Sequence, residues 1–223
     1  MNVGGLRVLG MQNVEIDPQL RHLEVFTTGG LLTLLWHGPE NAQDVVLCGG
    51  GAMGGLLGPA NGLFHDLGRR LGAEGNGVIR VGWRRPNDIE ACVEDLGAAG
   101  MFAEARGATR FVTVGHSFGG AIAIGAALDV SPIADAVLGV CTYATQSAGC
   151  EEAEQLRGRP LLLMHGTHDT ILPIWSSQIV NEIAGGHGEL VVLPEAGHLL
   201  VENGAPEILR TCTYDFIAKC FAR

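Results

Sequence analysis

The segment FVTVGHSFGG, residues 111–120, is the most informative part of this sequence. Its first four residues are aromatic or β-branched, which is typical of a buried parallel strand, and the small residues of 119–128 indicate a helix packed against a sheet. Ser117 is therefore expected on an abrupt turn from strand to helix. Side chains two residues before or after such a serine would collide with neighbouring backbone, and glycine at 115 and 119 removes both collisions.

A serine on such a turn is a candidate nucleophile. The turn lifts its Oγ above the edge of the sheet, and the N–H of Phe118, at the start of the helix, faces any negative oxygen formed beside it. With 34 glycines in 223 residues, a chance Gly-x-Ser-x-Gly is expected in about one such chain in ten. The motif alone is therefore weak evidence, and the prediction of a nucleophile rests on the strand before it and the helix after it.

Length and composition indicate a globular protein. A chain of 223 residues fits a single domain, here residues 1–223, with residues 1–21 as an N-terminal extension or an edge strand. The net charge of -10 and the absence of a basic cluster argue against nucleic acid or an anionic membrane as a partner. No apolar run approaches the roughly 20 residues that span a bilayer. The composition leaves the oligomeric state open.

The N-terminus and the cysteines bear on location and metal binding. Residues 1–17 lack a basic segment followed by an apolar one, so no secretion signal is predicted and a cytoplasmic location is expected. The six cysteines show no C-x-x-C spacing, and most are expected to be reduced core residues. No metal site and no cofactor are predicted.

Strands and helices alternate along most of the chain. A hairpin is predicted at 22–28 and 31–37, followed by strands at 44–48, 77–83, 111–114, 136–142, 160–165 and 189–193 and helices at 59–71, 87–106, 119–128, 174–183 and 206–222. This alternation predicts an α/β fold, with a doubly wound, mostly parallel sheet of about seven to eight strands flanked by helices.

Two loops on the same edge of the sheet supply partners for Ser117. Catalytic loops in a doubly wound sheet leave the carboxyl ends of the strands. Asp169 follows the strand that ends at 165, and His198 follows the strand that ends at 193. A serine hydroxyl needs a nearby base, and that base needs a carboxylate to fix its tautomer. The order Ser, Asp, His therefore predicts a nucleophile, an orienting acid and a base.

Other titratable residues compete for two of these roles. His168 is the rival base, and Glu195 is the rival acid. Asp135 is a weaker rival because it precedes its strand and is expected on the opposite edge. His116 and His165 are expected to be structural or rim residues.

These motifs resemble the α/β-hydrolase-fold serine hydrolases and, in the small size of the chain, their dienelactone hydrolase and carboxylesterase branch. The resemblance spans about residues 22–222 and rests on the serine turn, on His-Gly-x-x-Asp at 165–169, on Gly-His at 197–198 and on the glycine-rich turn after Cys48. It implies that Ser117 is the nucleophile, Asp169 the acid and His198 the base. Dienelactone hydrolases carry cysteine at the nucleophile position, whereas this chain has serine.

The glycine-rich turn at 49–55 has two interpretations. As part of a hydrolase it lets a backbone N–H approach the substrate, and Gly50, with Gly51 next, is predicted to be an oxyanion donor together with Phe118. As Gly-x-Gly-x-x-Gly after a strand it also matches a dinucleotide-binding turn, and the arginines at 84 and 85 would then suit NADP.

The segment 143–160 is too short for a cap domain, so an open site is expected. The residues predicted to line it are Met53, Leu56, Leu57, Phe118, Tyr143, Gln146, Trp175 and Leu199. Because they are mostly apolar, they favour a neutral, small-molecule ester of short or medium acyl length. Thioesterase, amidase or perhydrolase chemistry would use the same three residues, and an NADP-dependent oxidoreductase or a non-catalytic ligand receptor on the same scaffold are further alternatives.

Overall fold

One mixed sheet runs through the protein. The structure, a computed structural model, describes residues 2–3 and 5–222. Within that part the sheet has ten strands: β1 Asn2–Val3, β2 Leu6–Asp17, β3 Leu20–Thr27, β4 Gly30–His37, β5 Asp44–Gly49, β6 Gly77–Gly82, β7 Arg110–His116, β8 Val137–Tyr143, β9 Leu161–Gly166 and β10 Glu189–Leu193.

The strand order is β1-β2-β3-β4-β6-β5-β7-β8-β9-β10. Strands β1 to β4 are antiparallel to their neighbours, and β4 joins β6 in the same sense. From β6 to β10 every neighbouring pair is parallel. The predicted doubly wound, mostly parallel sheet with a hairpin at its start is confirmed. The first two strands lie at the edge beyond that hairpin, which brings the number above the seven to eight expected.

In the described part of the chain, five α-helices cover the two faces of the sheet: α1 Pro59–Ala73, α2 Ile89–Glu104, α3 Phe118–Gly125, α4 Trp175–Ile183 and α5 Ala205–Phe221. The helices α2, α3 and α4 contribute to one apolar core, and α1 and α5 contribute to the other. The central strands are therefore buried on both faces, which explains why they are continuous apolar runs rather than alternating ones.

The helix starts depend on local chemistry. Helix α2 is capped by Asp88, whose side chain accepts a hydrogen bond from the N–H of Ala91 at 3.0 Å. Asn87, at which the predicted helix 87–106 begins, has a left-handed backbone with a φ of 67°, so the helix starts two residues later, at Ile89. In α1 the residues Ala60, Asn61 and Gly62 have left-handed backbone angles, so regular helix begins only after them.

The N-terminal residues form an edge of the sheet. Within residues 1–21, β2 pairs with β3 on the outer side of the hairpin. Residues 1, 4 and 223, which are part of the predicted domain 1–223, lie outside the described residues. Five of the six cysteines are buried, as expected for core residues.

Candidate active site

Ser117 occupies a strained turn between β7 and α3. Its backbone φ of 58° and ψ of −119° are disfavoured for a residue with a side chain. The turn is held by hydrogen bonds from the N–H of Ser117 to the carbonyl of Tyr143 at 2.8 Å and from the N–H of Gly120 to the carbonyl of Ser117 at 3.0 Å. The surrounding structure therefore keeps the serine where its side chain leaves the sheet edge.

The glycines on either side of Ser117 are sterically required. A Cβ at Gly115 would lie 1.8 Å from the carbonyl oxygen of Gly119, and a Cβ at Gly119 would lie 2.3 Å from the carbonyl oxygens of both Gly49 and Gly50. These distances are far below van der Waals contact. The steric reason that the sequence suggests for both glycines is confirmed, and the second one shows that the turn after β5 packs directly against the first turn of α3.

Three side chains from distant parts of the chain form a hydrogen-bond chain. The Oγ of Ser117 lies 3.0 Å from Nε2 of His198, and Nδ1 of His198 lies 2.8 Å from Oδ2 of Asp169. In the neutral imidazole, Nδ1–H donates to the carboxylate and Nε2 accepts from the hydroxyl. This arrangement suits proton transfer from the hydroxyl to the imidazole, with the carboxylate stabilising the imidazolium that forms.

Asp169 is held as a carboxylate by its loop. Its Oδ1 accepts the N–H groups of Ile171 and Leu172, each at 2.9 Å, while Oδ2 faces His198. Burial by itself would raise the pKa of Asp169, but the hydrogen bonds from His198 and from the two backbone groups outweigh it and hold the pKa below its usual value. The acid is therefore ionised at neutral pH and both its oxygens are oriented.

His165 holds the loop of Asp169 in place through hydrogen bonds. Its Nε2–H donates to the carbonyl of Leu172 at 2.8 Å and lies 3.3 Å from Oδ2 of Asp169, and its Nδ1 lies 2.7 Å from Oγ of Ser177. Burial lowers the pKa of His165, so the ring is neutral and its Nδ1 accepts a hydrogen bond from the hydroxyl of Ser177. The side chain is buried, in line with the structural position expected from the sequence.

His116 supports the loop that carries His198. Its Nε2–H donates to the backbone carbonyl of His198 at 2.9 Å, and the two rings lie 5.0 Å apart. Burial lowers the pKa of His116 to about 4. A neutral ring beside His198 adds no positive charge that would oppose formation of an imidazolium there.

The rival residues lie apart from the hydrogen-bond chain. His168 is exposed. The Oε2 of Glu195 accepts a hydrogen bond from Asn203 at 3.0 Å, and the residue is exposed. Asp135 lies in a short 3-10 turn just before β8, at the end of that strand opposite the serine turn.

The fold has well-defined counterparts among solved structures. A dienelactone hydrolase from Anabaena variabilis superposes with a TM-score of 0.69 at 18% identity, covering 96% of this chain and 98% of that one. An esterase from Pyrococcus furiosus gives 0.70 at 15% identity, covering 96% and 98%. An α/β serine hydrolase without a lid from Xanthomonas campestris gives 0.69 at 16% identity, covering 93% and 97%. No protein-family profile and no curated protein matches the sequence.

This chain has the α/β-hydrolase fold. In that fold Ser117 lies on the turn after β7, and the loops after β9 and β10 bring Asp169 and His198 to it. The described part contains no helix that is both long and apolar enough to cross a membrane.

The predicted oxyanion donors belong to two segments that meet at the start of α3. Phe118 is the first residue of α3; its side chain is buried in the core, so only its backbone can serve the site. Gly50 follows β5, and a Cβ there would lie 2.2 Å from the carbonyl oxygen of Gly55. The turn is closed by the N–H of Gly54, which donates to the carbonyl of Gly51 at 2.9 Å. The donor roles remain predictions.

Some predicted lining residues are exposed on loops at the same edge of the sheet. Met53 lies on the loop after β5, Trp175 begins α4 and Leu199 follows His198 directly; all three are exposed, Met53 to 92%. The carbonyl of Leu199 accepts the N–H of Ala60 at 2.8 Å, which ties the two loops together. Leu56 is half-buried, and its carbonyl accepts a hydrogen bond from Arg80.

Of two other predicted lining residues, Tyr143 points away from the site and Gln146 is engaged within its own loop. Tyr143 is fully buried on the α1 and α5 face of the sheet, where its hydroxyl lies 2.7 Å from Oγ1 of Thr213 and its ring packs near Phe64. It was expected to contact substrate, and this expectation is wrong. The Nε2 of Gln146 donates to the carbonyl of Ala148 at 2.8 Å, so its amide is engaged within its own loop.

The sequence-based list of lining residues omitted two exposed apolar residues beside the hydrogen-bond chain. Ile171 stands two residues after Asp169, and Val201 stands three residues after His198. The sequence could have indicated both, because they closely follow the predicted acid and the predicted base.

Only one of the two arginines proposed for an NADP site is free to bind a phosphate. The side chain of Arg84 is buried, with its guanidinium paired to Asp95 and to Glu94. It is therefore not available for a 2′-phosphate. The side chain of Arg85 is exposed and lies 3.7 Å from Asp88. In the glycine-rich turn, the carbonyl oxygens of Gly49 and Gly50 lie against the first turn of α3.

A large cavity lies away from the hydrogen-bond chain. It measures about 800 Å³ beside α2 and the end of α3, and it includes Asp88, Glu94 and Leu128 in its lining but none of the three residues of the chain. The candidate active site is thus the open edge of the sheet rather than this cavity.

Proposed function

We propose that this protein is a serine hydrolase that cleaves carboxylic esters of small or medium size. The observation that carries the proposal is the continuous hydrogen-bond chain from Ser117 through His198 to Asp169. Its members come from three separate loops, and the serine stands on a strained turn whose neighbours must be glycine. Such strain and such convergence are characteristic of sites that perform chemistry.

The first half of the reaction forms an acyl-enzyme. The Oγ of Ser117 attacks the ester carbonyl carbon while its proton passes to Nε2 of His198. Asp169 stabilises the resulting imidazolium through the hydrogen bond to Nδ1. The tetrahedral intermediate then collapses, the bond to the alkoxide breaks, and His198 returns the proton to the leaving alcohol.

The second half repeats these steps with water. A water oxygen attacks the acyl carbon while His198 takes a proton from that water. The second tetrahedral intermediate then collapses, the bond from the acyl carbon to Oγ of Ser117 breaks, and His198 returns the proton to Oγ, which releases the carboxylic acid. In both halves we assign the N–H groups of Phe118 and Gly50 to the oxyanion. Each donor of this kind is typically worth about 3 kcal/mol in the transition state. The reaction needs no metal or other cofactor.

The surroundings of the site favour a neutral, apolar substrate. The large exposed side chains on the catalytic loops include Met53, Leu57, Ile171, Trp175 and Leu199, all of them apolar. The exposed carboxylates of Glu195 and Glu202 on the loop of His198 are engaged within that loop, with Asn203 and with the N–H of Gly197. Apolar side chains around a few polar groups are typical of sites for small organic ligands. This supports short or medium acyl chains on an uncharged ester.

Mutation of the nucleophile and of the base tests the proposal. Ser117→Ala and His198→Ala should each lower the hydrolysis of nitrophenyl acetate or butyrate by a factor on the order of 10⁴ to 10⁶. His168→Ala is the matched control, because His168 is an exposed histidine on the neighbouring loop, and it should retain activity. Full activity of Ser117→Ala would refute the proposal.

The alternatives predict different results in the same experiments. A fluorophosphonate probe should label Ser117, whereas an NADP-dependent enzyme would be stabilised by NADPH and not labelled. Labelling without turnover of any ester, thioester or amide would indicate a ligand receptor. Faster cleavage of thioesters or amides than of matched esters would move the assignment to those classes while keeping the same three residues.

A further inference from the structure

The strand β2 presents an unpaired edge. The short β1 pairs with it only through Asn2 opposite Arg7 and Val3 opposite Leu6. Among the described residues, no strand pairs with the outer side of β2 from Val8 to Asp17. Along this length, the backbone N–H and C=O groups that point away from β3 are open to a further strand.

The same strand is exposed on both of its faces. Every residue from Leu9 to Asp17 is exposed. Four of them are large and apolar, with exposed fractions of 62% for Leu9, 44% for Met11, 60% for Val14 and 56% for Ile16. Exposed, long and apolar edge strands are unusual in proteins that remain monomeric, which commonly protect such edges with lysine or proline. Residues 8–17 contain neither.

The pairing of β2 with β3 leaves a regular central segment. Register shifts occur between Val8 and Gly10 and between Glu15 and Asp17. Between these two irregularities, the backbone from Gly10 to Glu15 continues without a bulge. This segment carries one charged side chain, Glu15, so little electrostatic repulsion opposes a partner strand there.

The order of charges along β2 suits a second copy of the same strand. Arg7 lies near its beginning, and Glu15 and Asp17 lie at its end. Two copies that run antiparallel bring the basic end of each against the acidic end of the other. A parallel arrangement would instead place like charges together.

We propose that two copies of this chain associate through antiparallel pairing of their β2 strands, so that one sheet continues across a two-fold axis. Two-fold symmetry requires one residue to face its own copy at the axis. Gln12 suits this position, because the paired stretch then runs from Val8 to Ile16 and leaves β1 of each copy undisturbed. Within the regular segment, Met11 then faces Asn13 of the second copy and Gly10 faces its Val14. The acidic end of each strand approaches the second copy's Arg7.

The oligomeric state tests the proposal directly. An interface of about nine residues on each side is small, so the dimer fraction should rise with concentration between about 1 and 100 µM in sedimentation-velocity experiments. Val14→Lys should raise the dissociation constant at least about tenfold. Val192→Lys is the matched control, because it makes the same change at an exposed site on β10, the strand at the opposite edge of the sheet, and should leave the dimer intact.

Charge reversal tests the direction of pairing. Arg7→Glu should weaken the dimer about tenfold, because it brings an acidic side chain toward the acidic end of the second copy, and Arg7→Glu combined with Asp17→Arg should restore it. Asp17 is chosen for the exchange because Glu15 is already paired with Arg21 of its own chain at 3.1 Å. A protein that is monomeric at 100 µM, or a dimer broken by Val192→Lys but not by Val14→Lys, would overturn the proposal. Ester hydrolysis should be unchanged in Val14→Lys, so this test is independent of the proposed catalytic function.

Discussion

The substitution Asp169→Asn tests the role of the carboxylate without removing its contacts to the loop. In the native protein Oδ1 accepts two backbone N–H groups, and Oδ2 accepts Nδ1–H of His198. The two N–H groups require an acceptor, so the amide oxygen of asparagine should occupy the Oδ1 position. The amide NH₂ group must then face His198.

This arrangement forces the wrong tautomer on the base. Facing a donor, Nδ1 of His198 must act as an acceptor, and the ring proton moves to Nε2. The Nε2–H then points at the Ser117 hydroxyl, 3.0 Å away, and cannot take its proton. The negative charge that stabilises the imidazolium is also lost. We expect kcat to fall about 10⁴-fold, which corresponds to an increase of about 5.5 kcal/mol in the activation barrier.

The assay separates catalysis from folding. Initial rates on nitrophenyl butyrate should show the fall in kcat with KM nearly unchanged, and the thermal unfolding midpoint should stay within a few degrees because the loop contacts remain. Glu195→Gln is the control, since Glu195 is the rival acid and is exposed; it should keep activity within about twofold. Retention of a tenth or more of wild-type kcat in Asp169→Asn, or collapse of activity in Glu195→Gln, would refute the reasoning.

Three further predictions concern stability. Gly115→Ala should prevent folding of the serine turn or abolish activity, because its Cβ would lie 1.8 Å from a backbone oxygen; an active, stable variant on thermal denaturation would contradict this. Asp95→Ala should lower the free energy of unfolding in urea by about 3 to 5 kcal/mol, since it leaves the buried Arg84 guanidinium short of a partner, and a change below about 1 kcal/mol would count against it. Burial lowers the pKa of both His116 and His37 to about 4, whereas an unfolded histidine has a pKa of about 6.5. Below pH 6.5 the unfolded state therefore binds protons that the folded state does not. The free energy of unfolding should be highest above about pH 6.5 and fall toward pH 4, by on the order of 3 kcal/mol for His116. His37→Phe should flatten part of that fall, and equal stability of the wild type at pH 7 and 4.5 would contradict the prediction.

Much of the fold could be predicted because it follows from local patterns. Continuous apolar runs distinguish strands that are buried on both faces, and their alternation with helical segments predicts a parallel sheet. The turn at Ser117 is readable because two glycines must stand beside it whatever the rest of the chain does. The positions of Asp169 and His198 follow from their strands, since the carboxyl ends of parallel strands share one edge.

Other features depended on how the elements pack. Tyr143 ends a strand on the predicted edge, yet its side chain turns into the core below the sheet, because successive residues of a strand point to opposite faces. Arg84 follows a strand, where an arginine could bind a phosphate, but the packing of α2 places the carboxylates of Glu94 and Asp95 against its guanidinium. Neither outcome could be derived from residue type or spacing.

Periodicity, glycine sterics and the order of strands along the chain were sufficient to predict the succession of strands and helices, the serine turn and the three residues that come together there. Which side chains face the site and which strand edge is left open became apparent only from the packed fold. Those properties depend on strand register and on contacts between residues far apart in the chain, such as the pairing of β2 with β3, and no local pattern encodes them.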